Sequence, residues 1–91
     1  MKPITKIKKL NIVVRQYAPN HSTINIKDIG VLFISYNSKV AFRDRDGKIT
    51  LGEDWDYSRT TVKYLGQWLG KSKNEIRQEL ESGRFEYDKD L

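Results

Sequence analysis

Apolar and polar residues alternate along the first two-thirds of the chain, which is the pattern of half-buried β-strands. The alternation is clear over residues 10–14 and again over residues 23–26. Residues 31–36 are apolar on both faces, and such a run is typical of a central strand that other layers cover on both sides. Together these segments predict a β-meander over about residues 7–52.

Two turns predict how these strands pair. A two-residue turn at Asn37-Ser38 would place Phe33 opposite Phe42. Asp46-Gly47 is a strong hairpin signal, because a type I′ turn needs a positive φ at both central residues, and it would place Phe42 opposite Leu51. One face of the sheet then carries Val31, Phe33, Val40, Phe42, Ile49 and Leu51. A slip of one residue would disrupt this face, so the agreement of the two hairpins favours an antiparallel sheet.

Beyond the predicted strands, the spacing of apolar residues becomes helical. A first helix can begin after Ser58, which is a good N-cap, and end at Gly70, which is a common C-terminal residue. Its apolar stripe consists of Val62, Leu65, Trp68 and Leu69. Ser72 and Glu75 have the spacing of a capping box, which predicts a second helix that ends near Ser82.

The chain therefore predicts one α+β domain over residues 1–91. We expect an antiparallel sheet of four to five strands, followed by two short helices packed on one face. The β-meander covers about residues 7–52, the helical hairpin about residues 58–82, and a short tail residues 83–91. Aromatic residues in the tail either form a short last strand or pack against the core.

Composition narrows the range of functions. The 91 residues include no cysteine, which excludes disulfides, thiolate zinc sites and cysteine nucleophiles. No apolar run approaches the roughly 18 residues of a membrane span. The basic N-terminus is not followed by the apolar segment of a signal peptide. We therefore expect no membrane association and a cytoplasmic location.

The net charge of +5 is concentrated in two regions. Residues 1–16 carry five basic residues and no acidic residue, and residues 58–85 carry six basic and three acidic residues. Each excess of basic residues forms either a solvated face that keeps a small domain soluble or a surface that binds phosphates. If the two regions share one face of the fold, they form a single binding surface.

The sequence does not indicate catalysis. His21 is the only histidine, and we expect it to be an exposed loop residue rather than part of a catalytic triad. A cluster of carboxylates consists of Asp44, Asp46, Glu53, Asp54 and Asp56. A calcium loop is not expected, because Phe42 stands at the position that needs its first carboxylate. The sequence favours structural roles for these carboxylates, in a turn and near a helix N-terminus. A looser magnesium site is the alternative. We expect a non-catalytic binding protein with no metal and no cofactor.

The predicted hairpin matches the helix-turn-helix pattern at four positions. Leu65 and Gly66 supply an apolar and a small residue inside the first helix, which lets two helices cross closely. Gly70 supplies the glycine of the turn. Ile76, six positions later, supplies an inward β-branched residue. This spacing predicts a helix-turn-helix-like arrangement.

Two residues depart from that pattern, because Lys71 and Glu79 stand where apolar residues are usual. An ordinary helical hairpin that covers the sheet is therefore the alternative. If the motif holds, its second helix presents side chains that hydrogen-bond base edges and phosphates. The predicted contacts to nucleic acid or a partner are Lys63, Lys71, Ser72, Lys73, Asn74, Arg77 and Gln78 in the hairpin, and Lys6, Lys8 and Lys9 near the N-terminus.

Four short segments within about residues 29–69 form a further pattern: the Ser-Tyr turn Ser35-Tyr36, the strand Val40-Ala41-Phe42, Trp55, and the Thr-Thr-x-Lys-Tyr-Leu helix start at residues 60–65. This pattern resembles a group of small proteins from bacteriophages and mobile elements. The group has no assigned activity, so no functional residue can be carried over. The resemblance implies a phage-type context, in which regulators and inhibitors of host defence, including anti-CRISPR proteins, are expected.

Two hypotheses for the function follow. The first is a DNA-binding regulator that uses the helix-turn-helix-like hairpin and the basic surface. The alternative is a stoichiometric protein inhibitor of a host defence nucleoprotein complex, of the anti-CRISPR type. The expected partner is nucleic acid or a nucleic-acid-handling host protein, in the host cytoplasm if a phage encodes the chain. A homodimer fits the first hypothesis, because helix-turn-helix readers normally bind two half-sites, although no separate dimerisation segment is visible.

Overall fold

Six strands and two helices follow one another along residues 12–91, the part of the chain that the computed structural model describes. The strands are β1 (Ile12–Ala18), β2 (His21–Ile26), β3 (Gly30–Ser35), β4 (Ser38–Asp44), β5 (Ile49–Leu51) and β6 (Glu86–Tyr87), and the helices are α1 (Arg59–Leu69) and α2 (Lys73–Ser82). All six strands form one sheet in chain order. Strands β1 to β5 pair antiparallel, and β6 pairs parallel with β5.

The predicted α+β class is confirmed, with a largely antiparallel sheet followed by two helices. The sheet has six strands instead of four or five, because the tail adds β6 beside β5. Residues 7–11, at the start of the predicted meander, lie outside the described residues. Within residues 12–91, no helix is both long enough and apolar enough to cross a membrane.

The predicted register of β3, β4 and β5 is wrong by one residue. Phe33 pairs with Ala41 rather than with Phe42, and Ala41 in turn pairs with Leu51. The face that contains Phe33 therefore continues through Ala41 and not through Phe42. Phe42 instead lies on the opposite face, where its ring fills the space beside Gly30, so that a Cβ on this glycine would lie 2.6 Å from the ring.

Three features cause this shift. The turn between β3 and β4 consists of Tyr36 and Asn37, since Ser35 pairs with Ser38, so the predicted turn at Asn37-Ser38 is wrong and the pairing moves by two residues. A bulge at Val40 in β4 moves the pairing back by one, because the pairs Ile34–Lys39 and Phe33–Ala41 leave one extra residue on β4. The loop between β4 and β5 has three residues rather than two, since Asp44 and Lys48 are joined by a backbone hydrogen bond of 2.9 Å. In this loop only Gly47 has a positive φ, of 89°, so the expected type I′ turn is absent there.

Both helices pack against one face of the sheet, which we call the covered face. Phe33 at its centre is fully buried, and its ring stacks on Trp68 of α1 with the ring centroids 5.2 Å apart. Arg43 on the same face places its guanidinium carbon 4.4 Å from the Trp68 ring centroid, a cation–π contact. The hydrophobic core consists of Phe33, Val40, Ala41, Ile49, Leu51, Trp55, Leu65, Ile76 and Phe85.

The opposite face of β1 to β4, which we call the open face, carries mostly large apolar side chains. Strand pairing places Ile12, Val14, Ile24, Ile26, Leu32, Ile34 and Phe42 on it. No helix or strand of residues 12–91 packs over these side chains, because both helices contact the covered face. Strand β3 is central in the sheet, as predicted, and within residues 12–91 the helices pack over its covered face.

His21 begins strand β2 and is fully buried, so the prediction of an exposed loop histidine is wrong. Its Nδ1 lies 2.7 Å from the carbonyl oxygen of Pro19, and its Nε2 lies 3.0 Å from Ser35 Oγ. Ser35 Oγ lies 2.8 Å from Thr61 Oγ1, so buried hydrogen bonds join the sheet to α1. The reason is that the turn before β2 is short, consisting of Pro19 and Asn20, and the strand starts immediately after it.

Candidate nucleic-acid interface

The turn between α1 and α2 packs closely on Gly66 of α1. This residue is buried, and a Cβ placed on it would lie 2.6 Å from the carbonyl oxygen of Lys71, so a glycine is needed for the close approach. Gly70 has a left-handed backbone with φ of 71°, which ends α1. Leu65 and Ile76 are fully buried. All four predicted positions thus have the burial or backbone conformation that the motif requires.

The two residues that depart from the motif pair with each other. Lys71 Nζ lies 3.5 Å from Glu79 Oε2, and the two side chains are only 32% and 15% exposed. The guanidinium of Arg84 also donates to the Glu79 carboxylate and holds the pKa of this carboxyl below its ordinary value. An ion pair therefore replaces the apolar contact that usually closes such a turn. It also engages Lys71, one of the predicted contact residues.

Ser72 has a structural role at the start of α2. Its Oγ accepts a hydrogen bond from the Glu75 N–H at 3.2 Å, and Glu75 Oε1 accepts one from the Ser72 N–H at 2.7 Å. The predicted capping box is therefore confirmed. The hydrogen bond from the Ser72 backbone lowers the pKa of Glu75 below its ordinary value. The Ser72 side chain is exposed, but its oxygen is already used in the cap.

Exposed cations lie on neighbouring faces of both helices. Arg59 and Lys63 are four residues apart on α1, and Lys73 and Arg77 have the same spacing on α2, so each pair shares a helix face. We call these four residues the basic strip. Lys63 and Lys73 line a shallow groove of about 360 Å³ between the helices, together with Gln67. Among residues 12–91, none of the four cations has a carboxylate within ion-pair distance.

The outer face of α2 presents amide side chains beside the basic strip. Asn74 and Gln78 are exposed and lie four residues apart, next to Arg77. Amides of this kind can form two hydrogen bonds with an adenine edge, and arginine can do the same with guanine. Glu81 is exposed in the same region and adds one negative charge. The arrangement thus combines phosphate-binding cations with side chains suited to base edges.

The structure brings together only part of the predicted site. Lys63, Lys73, Asn74, Arg77 and Gln78 are exposed on the hairpin, as predicted. Lys6, Lys8 and Lys9 lie outside the described residues. Arg59 was not among the predicted contacts, although its spacing of four residues from Lys63 on a predicted helix is a signal for it.

The carboxylate cluster does not form a metal site in the described part of the chain. Within residues 12–91, no three carboxylate or imidazole side chains come close enough to hold a metal ion. Asp44 Oδ1 accepts hydrogen bonds from the N–H groups of Asp46 and Lys48, both at 2.9 Å. Asp44 therefore stabilises the β4–β5 turn, as the sequence favoured.

Three of the segments that carry the phage-type pattern meet at a cavity near the start of α1. The cavity has a volume of about 390 Å³, and the pattern residues that line it are Ser35, Tyr36, Val40, Thr60 and Thr61. Tyr36 has a φ of 55°, unusual for an aromatic residue, and its side chain is exposed. No basic side chain lines the cavity, so it is separate from the basic strip.

Comparison with known proteins identifies a family but not an activity. Residues 10–84 match the model of DUF8033, a family of unknown function. The match covers more than half of the chain, so the chain belongs to this family. No curated protein and no solved structure matches the chain.

Proposed function

We propose that this member of the DUF8033 family is a non-catalytic protein that binds DNA through its helical hairpin. The observation that carries the proposal is the exposed basic strip on α1 and α2, two helices joined by a tight turn that packs on Gly66. Each phosphate that a lysine or arginine neutralises releases counterions, which makes such binding favourable and dependent on salt.

The exposed residues fall into two roles under this proposal. Lys63, Lys73 and Arg77 bind phosphates, and Arg59 extends this surface along α1. Asn74 and Gln78 reach base edges from the outer face of α2. Lys71 contributes less than the sequence suggested, because its ammonium group is paired with Glu79. We retain Lys6, Lys8 and Lys9 as additional proposed phosphate contacts.

The proposed setting is the cytoplasm of a host cell, with the chain encoded by a bacteriophage or mobile element. The resemblance of the Ser-Tyr turn, Trp55 and the Thr-Thr-x-Lys-Tyr-Leu segment to such proteins supports this setting. The alternative function is that of a stoichiometric inhibitor of a host defence nucleoprotein complex, which would use the same basic strip against an acidic surface. Binding to free DNA distinguishes the two proposals.

Binding to duplex DNA should therefore be measured by fluorescence anisotropy between about 50 mM and about 200 mM salt. The affinity should fall steeply over this range, with a slope of about −0.9 in log K against log salt for each phosphate contact. If no binding is detected even at the lowest salt, the DNA proposal is wrong. Capture of partners from the host is then the way to pursue the inhibitor.

Charge reversal tests the assignment of residues. The double variant Lys73→Glu/Arg77→Glu should weaken binding and make the salt slope less steep by about two contacts. Its matched control is Lys27→Glu/Lys89→Glu, which makes the same change in net charge at exposed positions away from the hairpin. Equal losses in both double variants would show that net charge, and not the basic strip, governs binding.

A further inference from the structure

The cavity near the start of α1 has walls suited to a flat ring with polar edges. Tyr36 and Tyr57 supply aromatic rings, Asp54 supplies a carboxylate, and most of the other lining residues carry hydroxyl groups. Its volume of about 390 Å³ is within the range of small-molecule sites, about 300–1,000 Å³. Aromatic rings stack on flat ligands, and carboxylate and hydroxyl oxygens accept hydrogen bonds from N–H groups. A nucleobase has both matching features, a flat face and N–H donors at its edge.

Contacts within the protein hold the walls of this cavity in place. The Tyr36 ring packs edge-on against the buried His21, with the ring centroids 5.7 Å apart. Thr61 Oγ1 lies 3.0 Å from Ser58 Oγ and 2.8 Å from Ser35 Oγ, so hydrogen bonds fix these hydroxyl groups. A ligand therefore meets walls that are already ordered, which lowers the entropic cost of binding.

Tyr57 is the wall with the most accessible ring. Its side chain is 79% exposed, more than any other large apolar or aromatic side chain of residues 12–91. Its backbone is held in the turn before α1, where the Tyr57 N–H donates to the Asp54 carbonyl oxygen at 3.2 Å. An exposed ring on an ordered backbone provides a platform on which a base can stack.

A basic pocket adjoins this cavity, and Tyr57 and Ser58 line both. It has a volume of about 400 Å³ and contains a single acidic side chain, that of Asp56. Three cations of the basic strip also line it: Arg59, Lys63 and Lys73. Positive charge thus predominates in this pocket, which favours a phosphate group. The two adjoining pockets match the two parts of a nucleotide, its base and its phosphate.

We propose that these two pockets together bind an unpaired nucleotide of a DNA strand, with its base stacked on Tyr57 and its phosphate beside Lys63. This inference rests on the proposed function, because it names the form of DNA that the helical hairpin binds. The basic strip continues from the pocket to Arg77 on α2, so further phosphates of the same strand have cations to contact. For this reason a nucleotide within a strand is favoured over a free one.

Fluorescence anisotropy with matched DNA ligands tests this inference. A blunt duplex is compared with the same duplex carrying a short single-stranded overhang, and with one whose overhang has the same phosphates but lacks bases. The overhang with bases should bind at least about fivefold more tightly than the abasic overhang, which is the contribution of one stacked base. Equal affinities for the two overhangs overturn the inference. Lack of binding to the blunt duplex counts against the proposed function alone, because the overhangs are compared only with each other.

Variants of Tyr57 assign the stacking to one ring. Tyr57→Ala should bring the ratio of the affinities for the two overhangs close to one, whereas Tyr57→Phe keeps the ring and should retain the ratio. Tyr87→Ala is the matched control, since Tyr87 is also exposed, at 56%, and lines neither pocket. The inference is wrong if Tyr57→Ala and Tyr87→Ala give the same ratio.

Photo-cross-linking locates the base directly in the unmodified protein. An overhang that contains iododeoxyuridine is irradiated in complex with the protein, and the cross-linked peptide is identified by mass spectrometry. The cross-link should be found at Tyr57, because a stacked ring lies against the photoreactive base. Cross-links found only at residues outside the two pockets would overturn the inference.

Discussion

The two faces of the sheet differ in where they place polar groups. On the covered face, His21 and Ser35 are buried and lie 3.0 Å apart, and Ser35 lies 2.8 Å from the buried Thr61 of α1. The open face has an apolar central row and keeps its polar residues at the rim. The buried polar side chains of β2 and β3 therefore lie on the covered face.

This difference shows what a covering layer has to provide. A buried polar group is tolerated where a partner is held at hydrogen-bonding distance, and α1 provides one for Ser35 through Thr61. The open face offers no such partners, so any layer that packs on it has to be apolar as well. Helix α1 therefore makes specific polar contacts with the covered face, whereas the open face can make only apolar contacts that have no preferred direction.

The largest expected effect separates two adjacent residues of β3. Phe33→Ala on the covered face should destabilise the protein by about 3–5 kcal/mol, because it removes a fully buried aromatic ring that stacks on Trp68. Leu32→Ala on the open face should cost less than half as much in dilute solution. Urea unfolding followed by circular dichroism measures both. An equal decrease in the free energy of unfolding for both variants would mean that the two faces are equally buried.

Gly66→Ala tests how closely the turn between α1 and α2 packs on α1. The added methyl group would lie 2.6 Å from the Lys71 carbonyl oxygen, so the turn has to open, at a cost of about 1–3 kcal/mol. DNA affinity should fall in the same variant. Gly70→Ala is the control, because a Cβ there meets no neighbouring atom and only the left-handed backbone is strained. A Gly66→Ala protein with wild-type thermal stability would contradict this close packing of the turn.

The buried hydrogen bonds can be tested by a variant that preserves shape. Thr61→Val removes the hydroxyl that contacts Ser35 and leaves polar atoms unsatisfied, which should cost about 1–2 kcal/mol. Adding Ser35→Ala to this variant should cost less than Ser35→Ala alone, which a double-mutant cycle by chemical denaturation will show. The open-face control Ser22→Ala should change stability by no more than about 0.5 kcal/mol. Strict additivity would indicate that the two hydroxyls act independently.

The smallest expected effect is on the stability of the fold at acid pH, and it involves the ion pair between Glu79 and Arg84. The pKa of Glu79 is lowered in the folded protein by the hydrogen bond from Arg84, so the unfolded chain binds a proton more readily. This contribution to stability is present at neutral pH and is lost as the pH falls through the folded pKa. Thermal unfolding from about pH 6 to about pH 3 should therefore show a smaller loss for Glu79→Gln than for wild type. Parallel pH profiles would contradict this role for the ion pair.

Local signals predicted the elements of this fold. The capping box at Ser72, the helix end at Gly70 and the helical stripe that contains Leu65 all depend on residues a few positions apart. The predicted helix boundaries therefore agree closely with α1 and α2. The exposed hairpin residues from Lys73 to Gln78 follow from the same periodicity, because a helix that buries Ile76 must expose the opposite side.

Strand register was not predictable in the same way. The turn signal at Asp46-Gly47 correctly located a hairpin but not its three-residue loop. The bulge at Val40 has no signal in the alternation of polar and apolar residues, since it lets two adjacent residues be buried together. Each irregularity shifts the pairing by one residue. Phe42 was assigned to the wrong face for this reason.

The sequence by itself determined the α+β class, the order of the strands, the two helices and the residues that the hairpin exposes, because periodicity and caps act over a few residues. Tertiary structure alone decided the burial of His21, the pairing of Lys71 with Glu79 and the face on which the helices pack. These features depend on contacts between segments far apart in the chain, and no local pattern encodes them. The apolar character of both faces of β3 was visible in the sequence, but only the fold showed which face the helices leave open.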